Sequence, residues 1–459
     1  MTMNGRFSER ANFRDRAGDA VGTGERVLES KRSAGTAKLL SGPFFWLSAF
    51  YLVYCARPED WIPGLSHVPL AKITGILAFL GMFSSLNSSK RRFKDLPREC
   101  HYLLAMSGIL FVSGLFSPIW KGGAINHTID FSKVCIAWIL TFLLISDFAR
   151  LRRIIFIQAG SVALICIVSI VKGHSQARLE GVLGGIYSNP NDLAFAVVLS
   201  LPFCLAFLLT AKNGLKKVLW LVGMLCMLAA LFLTASRGGF VTLVVAGTVC
   251  LWHFGVKGKR FFLIVSTVVI GAVLLVVAGG PLISRFVAIS GEGDSEQQNK
   301  AYESYEQRRF LMVKAIEGIE NYPILGLGAR NFQVYSTVWR DVHMTYLQIA
   351  VEGGVFCLVL YLMFFARGFR NLRRLNKRRD LDPEIKLFSA ALYSSLVGFV
   401  VGALFSPEAY QYFPYFAVCY TATLAALVDE KDRSVAPVKE KITLEPAWRR
   451  RLQSEPVSR

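Results

Sequence analysis

The sequence predicts an all-α, polytopic membrane protein. Three observations predict it. Of 459 residues, 53% are hydrophobic and 18% charged, and the mean hydropathy is +0.43, too apolar for a soluble chain of this length. About twelve apolar runs are candidates to cross a bilayer as helices. The loops between them alternate between strongly basic and nearly neutral, as expected of a chain threaded back and forth across a membrane.

The elements follow in order. Residues 1–38 are polar, carry both signs of charge and are rich in Gly, Ser, Arg and Glu, so a disordered cytoplasmic tail is expected. That stretch is too long and too mixed in charge for the head of a signal peptide, and the apolar run near 42–56 reads as a retained anchor. Spans one to nine occupy residues 39–279, centred near 49, 78, 109, 138, 162, 201, 226, 247 and 270. The eighth, apolar over 239–254, is short. Residues 280–342 form a long polar loop containing Gly291-Glu292-Gly293-Asp294. Within it, Phe310, Leu311, Val313, Ile316 and Ile319 give a helix near 300–320 an apolar stripe, suited to a membrane surface or to the mouth of the bundle. Spans ten to twelve, centred near 354, 396 and 419, lie in residues 343–429, and 430–459 is a basic tail.

Basic clusters at 90–98, 150–153, 212–217, 257–260 and 367–379 mark one side of the membrane. The intervening short loops carry about one basic residue each: Arg57, Lys121 and Arg237. The positive-inside rule makes the first set cytoplasmic, both termini cytoplasmic and the 280–342 loop periplasmic. The same rule accounts for the net charge of +20 without nucleic acid. The nine cysteines form no CxxC pair, and most sit in apolar runs as small packing residues rather than as a disulfide or zinc framework. No P-loop, GxSxG, zinc spacing or nucleotide signature is present, which argues against an ATP-driven machine.

On this topology the unusual polar residues gather on the outer face. Arg57 follows the first span, Arg178 lies in the fifth-to-sixth loop, and Asn189-Pro190-Asn191-Asp192 opens the sixth span. Arg237, in Ser236-Arg237-Gly238-Gly239, ends the seventh; Arg308 and Arg309 lie in the outer loop; His343 opens the tenth, followed by Tyr346, Gln348 and Glu352. Arginines, asparagines and one histidine together suit an anionic head group such as a diphosphate. Each residue also has a plain structural reading. Arg237 would snorkel at a helix end, Asn-Pro-Asn-Asp would serve as a turn and helix cap, and Arg308 or Arg309 would lie on a solvated face. His343 would cap its span, and Glu352, buried in the tenth span, would need a partner or a proton. His67, His127 and His174 share the outer side but show no metal-ligand spacing.

These residues together resemble the superfamily of O-antigen ligases and polymerases, bacterial inner-membrane glycosyltransferases. The family pattern is a histidine, then Asn, Ser or Gln, then nine residues and Gly-x-x-Gly. Here His343 is followed by Met344 and, after nine residues, by Gly354, with Cys357 where the second glycine is usual. Pro323-Ile324-Leu325-Gly326-Leu327-Gly328 with Asn331-Phe332 is similar to the family's Pro-x-x-Gly-x-Gly-x-x-Asn-Phe segment. Arg308, with Arg309 as neighbour, stands where the family carries an arginine, and Ser236-Arg237-Gly238 and Asn189-Pro190-Asn191 resemble two further elements. The resemblance spans roughly residues 180–430.

The resemblance implies a GT-C-like helical bundle with a periplasmic catalytic loop. It implies transfer of a glycan from undecaprenyl diphosphate to an acceptor hydroxyl on lipid A–core, another glycan or a protein, without nucleotide sugar, metal or other cofactor. His343, Arg237 and Arg308 would be catalytic. Arg309, Asn189, Asn191, Arg178, Arg57, Tyr346 and Gln348 would bind substrate. A ligase is slightly favoured; a polysaccharide polymerase or protein O-oligosaccharyltransferase is the alternative. A transporter would place broken or polar helices near the midplane and show inverted repeats; here the unusual polar residues gather on one face and no repeat is visible. A purely structural subunit of an export complex is the third class.

Overall fold

A computed structural model describes residues 42–85, 91–172, 178–179, 185–187, 189–280, 282–284, 287 and 295–435. The predicted tails at 1–38 and beyond 435, the Gly291–Asp294 stretch, His174 and Glu180 lie outside the described residues. Among the described residues there are helices and no strand. Thirteen long helices follow one another: α1 (Pro43–Ala56), α2 (Leu70–Ser85), α3 (Arg98–Leu115), α4 (Lys121–Leu144), α5 (Phe148–Lys172), α6 (Pro190–Thr210) and α7 (Gly214–Leu233), then α8 (Arg237–Leu251), α9 (Phe261–Ala278), α10 (Ser295–Asn321), α11 (Thr345–Asn376), α12 (Pro383–Gly402) and α13 (Tyr412–Val435). Each of the twelve span centres read from the sequence falls inside one of these helices, and α10 is the polar one between α9 and α11. Among the described residues, seven helices are long and apolar enough to cross a membrane, and α1, α2 and α9 are shorter apolar helices. The short eighth run is α8, prolonged by a π-helical turn over Trp252–Val256.

The sequence explains the helix starts. Pro190 sits at the first turn of α6, where its missing N–H costs nothing, and the Asn189 side chain caps that end by accepting from the Asn191 backbone N–H at 2.9 Å. Ser236 caps α8 in the same way, its Oγ accepting from Gly239 N–H at 3.1 Å. α6 is the central post, buried along most of its length and packed on α7, α8 and α12. α11 packs on α3, α12 and α13. Aromatic side chains fill the centre: Tyr51 meets Phe416 at 4.5 Å and Phe365 stacks on Phe399 at 4.6 Å between ring centroids.

Several polar side chains inside the bundle are paired across helices, which offsets the cost of burying them. Tyr420 donates to Gln158 at 2.7 Å, and Asn371 to Glu99 at 2.8 Å. Arg91, read from the sequence as a loop charge, is buried. It donates to Glu430 at 2.6 Å and to the Phe142 carbonyl at 2.9 Å. The same end of the bundle carries Arg152–Glu384 (2.7 Å), Arg374–Asp429 (2.8 Å) and Arg378 with Asp380 and Asp432. All nine cysteines are unpaired thiols.

Candidate functional site

The cleft that matters lies at the opposite end, where five parts of the chain meet. It is lined by Arg178, by Asn191 and Phe195 of α6, by Ser236–Gly239 and Thr242 of α8, by Arg308 of α10, and by Gly402, Phe405 and Ser406 after α12. Three arginines and no carboxylate line it. Arg178 is fixed by donating to the Thr234 carbonyl at 2.9 Å and to Asn191 Oδ1 at 3.3 Å, and Ser236 Oγ donates to the same Oδ1 at 2.8 Å. Asn191 thus ties the start of α6 to the α7–α8 corner. Arg237 is the first residue of α8, so the positive end of that helix's dipole adds to its charge. Burial and the charge of Arg237 hold the Arg308 guanidinium below its ordinary value. Two cations held against each other in a half-buried cleft raise one another's energy, and an anion placed between them relieves it.

Gly238 and Gly239 permit close approach, but the neighbours are protein. A Cβ on Gly238 would come within 2.8 Å of Phe405 Cβ, and one on Gly239 within 2.7 Å of Ala194 Cβ. These glycines let α8 seat against α6 and the 403–411 loop.

His343 lies beside this cleft, two residues before α11. Burial, with the charges of Arg308 and Arg340, lowers it to about 4, so its imidazole is neutral at physiological pH. Its Nδ1 is buried with no hydrogen-bond partner among the described residues. Thr345 locks the helix start that carries it. Its backbone N–H donates to the Ala403 carbonyl at 2.8 Å, its hydroxyl donates to the Ser406 carbonyl at 2.6 Å, and that hydroxyl accepts from Glu408 N–H at 3.0 Å.

The Pro-Gly segment has a different job from the one its sequence advertises. α11 is broken at Gly354, whose φ is +76°. A break frees backbone groups that the helix would otherwise use, and inside a membrane protein these need partners. Residues 323–328 supply them. Leu327 N–H donates to the Val351 carbonyl (2.9 Å), Gly328 N–H to the Glu352 carbonyl (2.9 Å), and Val355 N–H to the Pro323 carbonyl (2.9 Å). Ser113 of α3 adds a bond to Glu352 O at 3.1 Å. Asn331 anchors the segment from behind, donating to Ser117 Oγ at 2.7 Å and to the Trp120 and Leu327 carbonyls.

Of the ten sequence-predicted site residues, the structure gathers Arg178, Asn191, Arg237 and Arg308 in one cleft with His343 beside it. The others have other engagements. Arg57 forks onto Asp60 at 2.8 and 3.0 Å and pairs with Glu59 at 3.3 Å. Asn189 is a helix cap. Arg309 is exposed and lies 3.7 Å from Glu306. Tyr346 donates to the Val400 carbonyl at 2.8 Å. Gln348 accepts from Ala409 N–H at 3.4 Å, and its Nε2 is buried without a partner among the described residues. On α10, Leu311 and Ala315 form the packed face, while Phe310, Val313 and Ile316 are exposed; the predicted stripe is split because α11 clamps only one side.

Sequence reasoning missed the 403–411 loop. Its Ser406 and Phe405 line the cleft, and its Glu408 is buried and shares a hydrogen bond with Asp192. Burial, and then the neighbouring charge of Asp192, push Glu408 well above the usual carboxylate range. The partner that Glu352 needed is in the same loop: Tyr410 donates to its Oε2 at 2.5 Å. An acidic residue in a short loop on the arginine side, Ser406-Pro407-Glu408, was the available signal. Among the described residues, no three His, Cys, Asp or Glu side chains converge as metal ligands would.

Residues 222–362 match the family model described as O-antigen ligase. That stretch is similar to the O-antigen ligase family. It contains Arg237, Arg308, His343 and the broken part of α11, while Arg178, Asn191 and the 402–406 part of the cleft lie outside it. The match supports a glycan-transferring membrane enzyme in general terms, and the chain carries several helices long and apolar enough to cross a membrane. No curated protein matches the chain. Among solved structures, a chain from work on "structural coordination of polymerization and crosslinking by a peptidoglycan synthase complex" aligns with 72% of this chain and 97% of that one. Identity is 16% and the TM-score 0.39, a likeness too slight to carry a conclusion.

Proposed function

We propose that this O-antigen ligase family protein transfers a glycan from undecaprenyl diphosphate to an acceptor hydroxyl at the periplasmic face of the bacterial inner membrane, with the lipid A–core as the favoured acceptor. The observation that carries the reading is the cleft itself: three arginines, no carboxylate and the positive end of α8, with a neutral histidine alongside. A diphosphate leaving group develops about two negative charges, and fixed guanidinium groups at a dry site stabilise it as it forms. Arg237 and Arg308 hold the diphosphate. His343 accepts the proton of the acceptor hydroxyl. The acceptor oxygen bonds to the anomeric carbon, the bond from that carbon to the phosphate oxygen breaks, and undecaprenyl diphosphate departs with the electron pair. No residue of this site asks for a nucleotide or a metal.

The test is transfer by the purified full-length chain in lipid nanodiscs, given undecaprenyl-diphosphate-linked glycan and a lipid A–core acceptor. Arg237→Ala should lower the rate by about 10²-fold or more, the scale for losing one fixed donor to developing charge. Arg237→Lys should recover little, since a point charge does not replace a bidentate fork. Full activity of Arg237→Ala at normal protein level would remove Arg237 from the site, and no transfer by wild type would reject the reading.

A further inference from the structure

The loop that leads into His343 is strained and exposed at once. Thr337 (φ +63°) and Trp339 (φ +54°) both sit in the left-handed region. For a β-branched or bulky residue that region is an outlier, and such strain persists only where the surroundings enforce it. Here they do. Ser336 Oγ donates to the Gln333 carbonyl at 3.1 Å, and Thr337 N–H to the Val334 carbonyl at 3.1 Å. Asp341 pairs with Arg330 at 3.7 Å, and Arg340 donates to Gln307 Oε1 on α10 at 2.6 Å. The strain is not repaid by packing. Trp339 is 70% exposed, and Thr337 and Arg340 beside it are exposed as well. A braced, strained loop therefore holds an indole ring out in the open.

Position gives the ring its meaning. Arg340 is bound to Gln307, the residue before Arg308, and the charges of Arg308 and Arg340 both act on His343. The histidine thus lies between the arginine cleft and this loop. In the proposed displacement the diphosphate leaves on the arginine side. A nucleophile and a leaving group take opposite sides of the carbon they exchange, so an acceptor sugar reaches His343 from the side of the loop. An exposed indole suits a sugar ring: its negative face covers the slightly positive C–H groups of a pyranose. Among the described residues Arg340 gives one of its five N–H groups to Gln307, and the others have the right chemistry for sugar hydroxyls. An indole at the end of a membrane protein also fits the headgroup layer. Its exposed neighbours are Thr337, Val338 and Arg340, too little apolar surface for an anchoring patch, and they favour the sugar.

We propose that Trp339 is a platform on which a sugar ring of the acceptor stacks, with Arg340 donating to that sugar's hydroxyl groups. The proposal rests on the reading of the protein as a glycan transferase. It adds a residue that selects the acceptor, outside the arginine cleft, and a physical reason for the left-handed backbone just before His343.

The experiment measures KM separately for donor and for lipid A–core acceptor, with full-length protein in nanodiscs. Trp339→Ala should raise the acceptor KM about tenfold, the scale of a lost stacking partner, and leave the donor KM unchanged and kcat within about twofold. Trp339→Phe, which keeps a flat ring, should regain most of the loss. Trp339→Leu, which keeps apolar bulk without a ring, should regain little. An unchanged acceptor KM in Trp339→Ala, or full recovery by Trp339→Leu, would overturn the platform and spare the function. A second measurement needs no transfer. The tryptophan fluorescence that wild type has and Trp339→Phe lacks should change saturably when oligosaccharide cut from the lipid A–core is added. No change in that signal would overturn the stacking. Quenching of the same signal by lipids brominated near the head group would overturn it too and assign Trp339 to the membrane surface. Absence of transfer by wild type would reject the function itself, and the fluorescence would then decide the sugar site on its own.

Discussion

In the proposed reaction His343 is where charge and proton transfer meet. Burial and two neighbouring arginines lower it to about 4, which suits a hydrogen-bond acceptor and not a cationic phosphate ligand. A low value also means a weak base in the free enzyme. In the proposed reaction the donor would repair this: a diphosphate on Arg308 would offset one of the charges that depress His343, so the imidazole would gain basicity with substrate in place. The sign follows directly. If the neutral form is the active one, as proposed, kcat/KM, which reports the free enzyme, should be flat above about pH 5 and fall towards acid around pH 4. The acid limb of kcat, which reports the bound complex, should lie at higher pH than that of kcat/KM. His343→Ala should cost about 10²-fold or more in kcat/KM. Rates that climb as the pH drops through this range would identify an imidazolium ligand and reject the base. The same neighbourhood separates Arg308 from Arg309, which the sequence left as adjacent candidates. A helix turns about 100° per residue, so one side chain enters the cleft while the next is exposed.

At the scale of elements, the Pro-Gly segment and α11 form one unit. The sequence showed the segment and His343 as a single catalytic-looking loop, and period and composition cannot reveal that residues 323–328 bond to a helix break more than twenty residues later. Only the tertiary contact explains the glycine at 354. Its φ of +76° is a region other residues enter at a cost, and a Cβ there would lie 2.0 Å from the Ile324 carbonyl oxygen. Gly354→Ala should therefore destabilise the protein by about 2 kcal/mol or more, seen as a lower melting temperature in detergent. Activity should fall with it, because α11 carries His343 at one end and Glu352 at the break. A variant that melts with wild type would show that α11 re-forms without the break. A second consequence concerns the cleft, which holds about 30 Å³, room for about one water. A diphosphate must part the walls, and α10, packed chiefly on α11, is the wall with the fewest ties.

Across the whole molecule, hydrophobic run length located the helices because bilayer and bundle impose the same demand on each span. Loop charge was a sound guide to which helix ends lie together. Arg57, Arg178, Arg237 and His343 were grouped by that rule alone, and three of the four lie in or beside the cleft. The rule says nothing of burial: Arg91 lies at the same end as the other basic clusters but is buried against Phe142 and Glu430, and its sequence neighbourhood resembles any basic loop. It was also silent on Glu408 and Tyr410, because a carboxylate needs a partner from elsewhere in the fold before its role is visible. Sidedness is the remaining demand of the proposed function, since the donor's glycan is accepted in the periplasm. Two exposed positions on opposite ends of the bundle test it: Glu320 at the end of α10 and Lys377 just after α11. Background is low, because eight of the nine native cysteines are buried and Cys226 is half-buried. With a membrane-impermeant maleimide on cells whose outer membrane is made leaky, Glu320→Cys should label in intact cells and Lys377→Cys only after lysis. The basic cluster at 367–379 supplies the reason, since moving so many Lys and Arg residues across the membrane is opposed by the rule that retains them inside. Labelling of Lys377→Cys but not Glu320→Cys in intact cells would put the arginine cleft in the cytoplasm, away from any periplasmic acceptor, and the proposed reaction would fall with it.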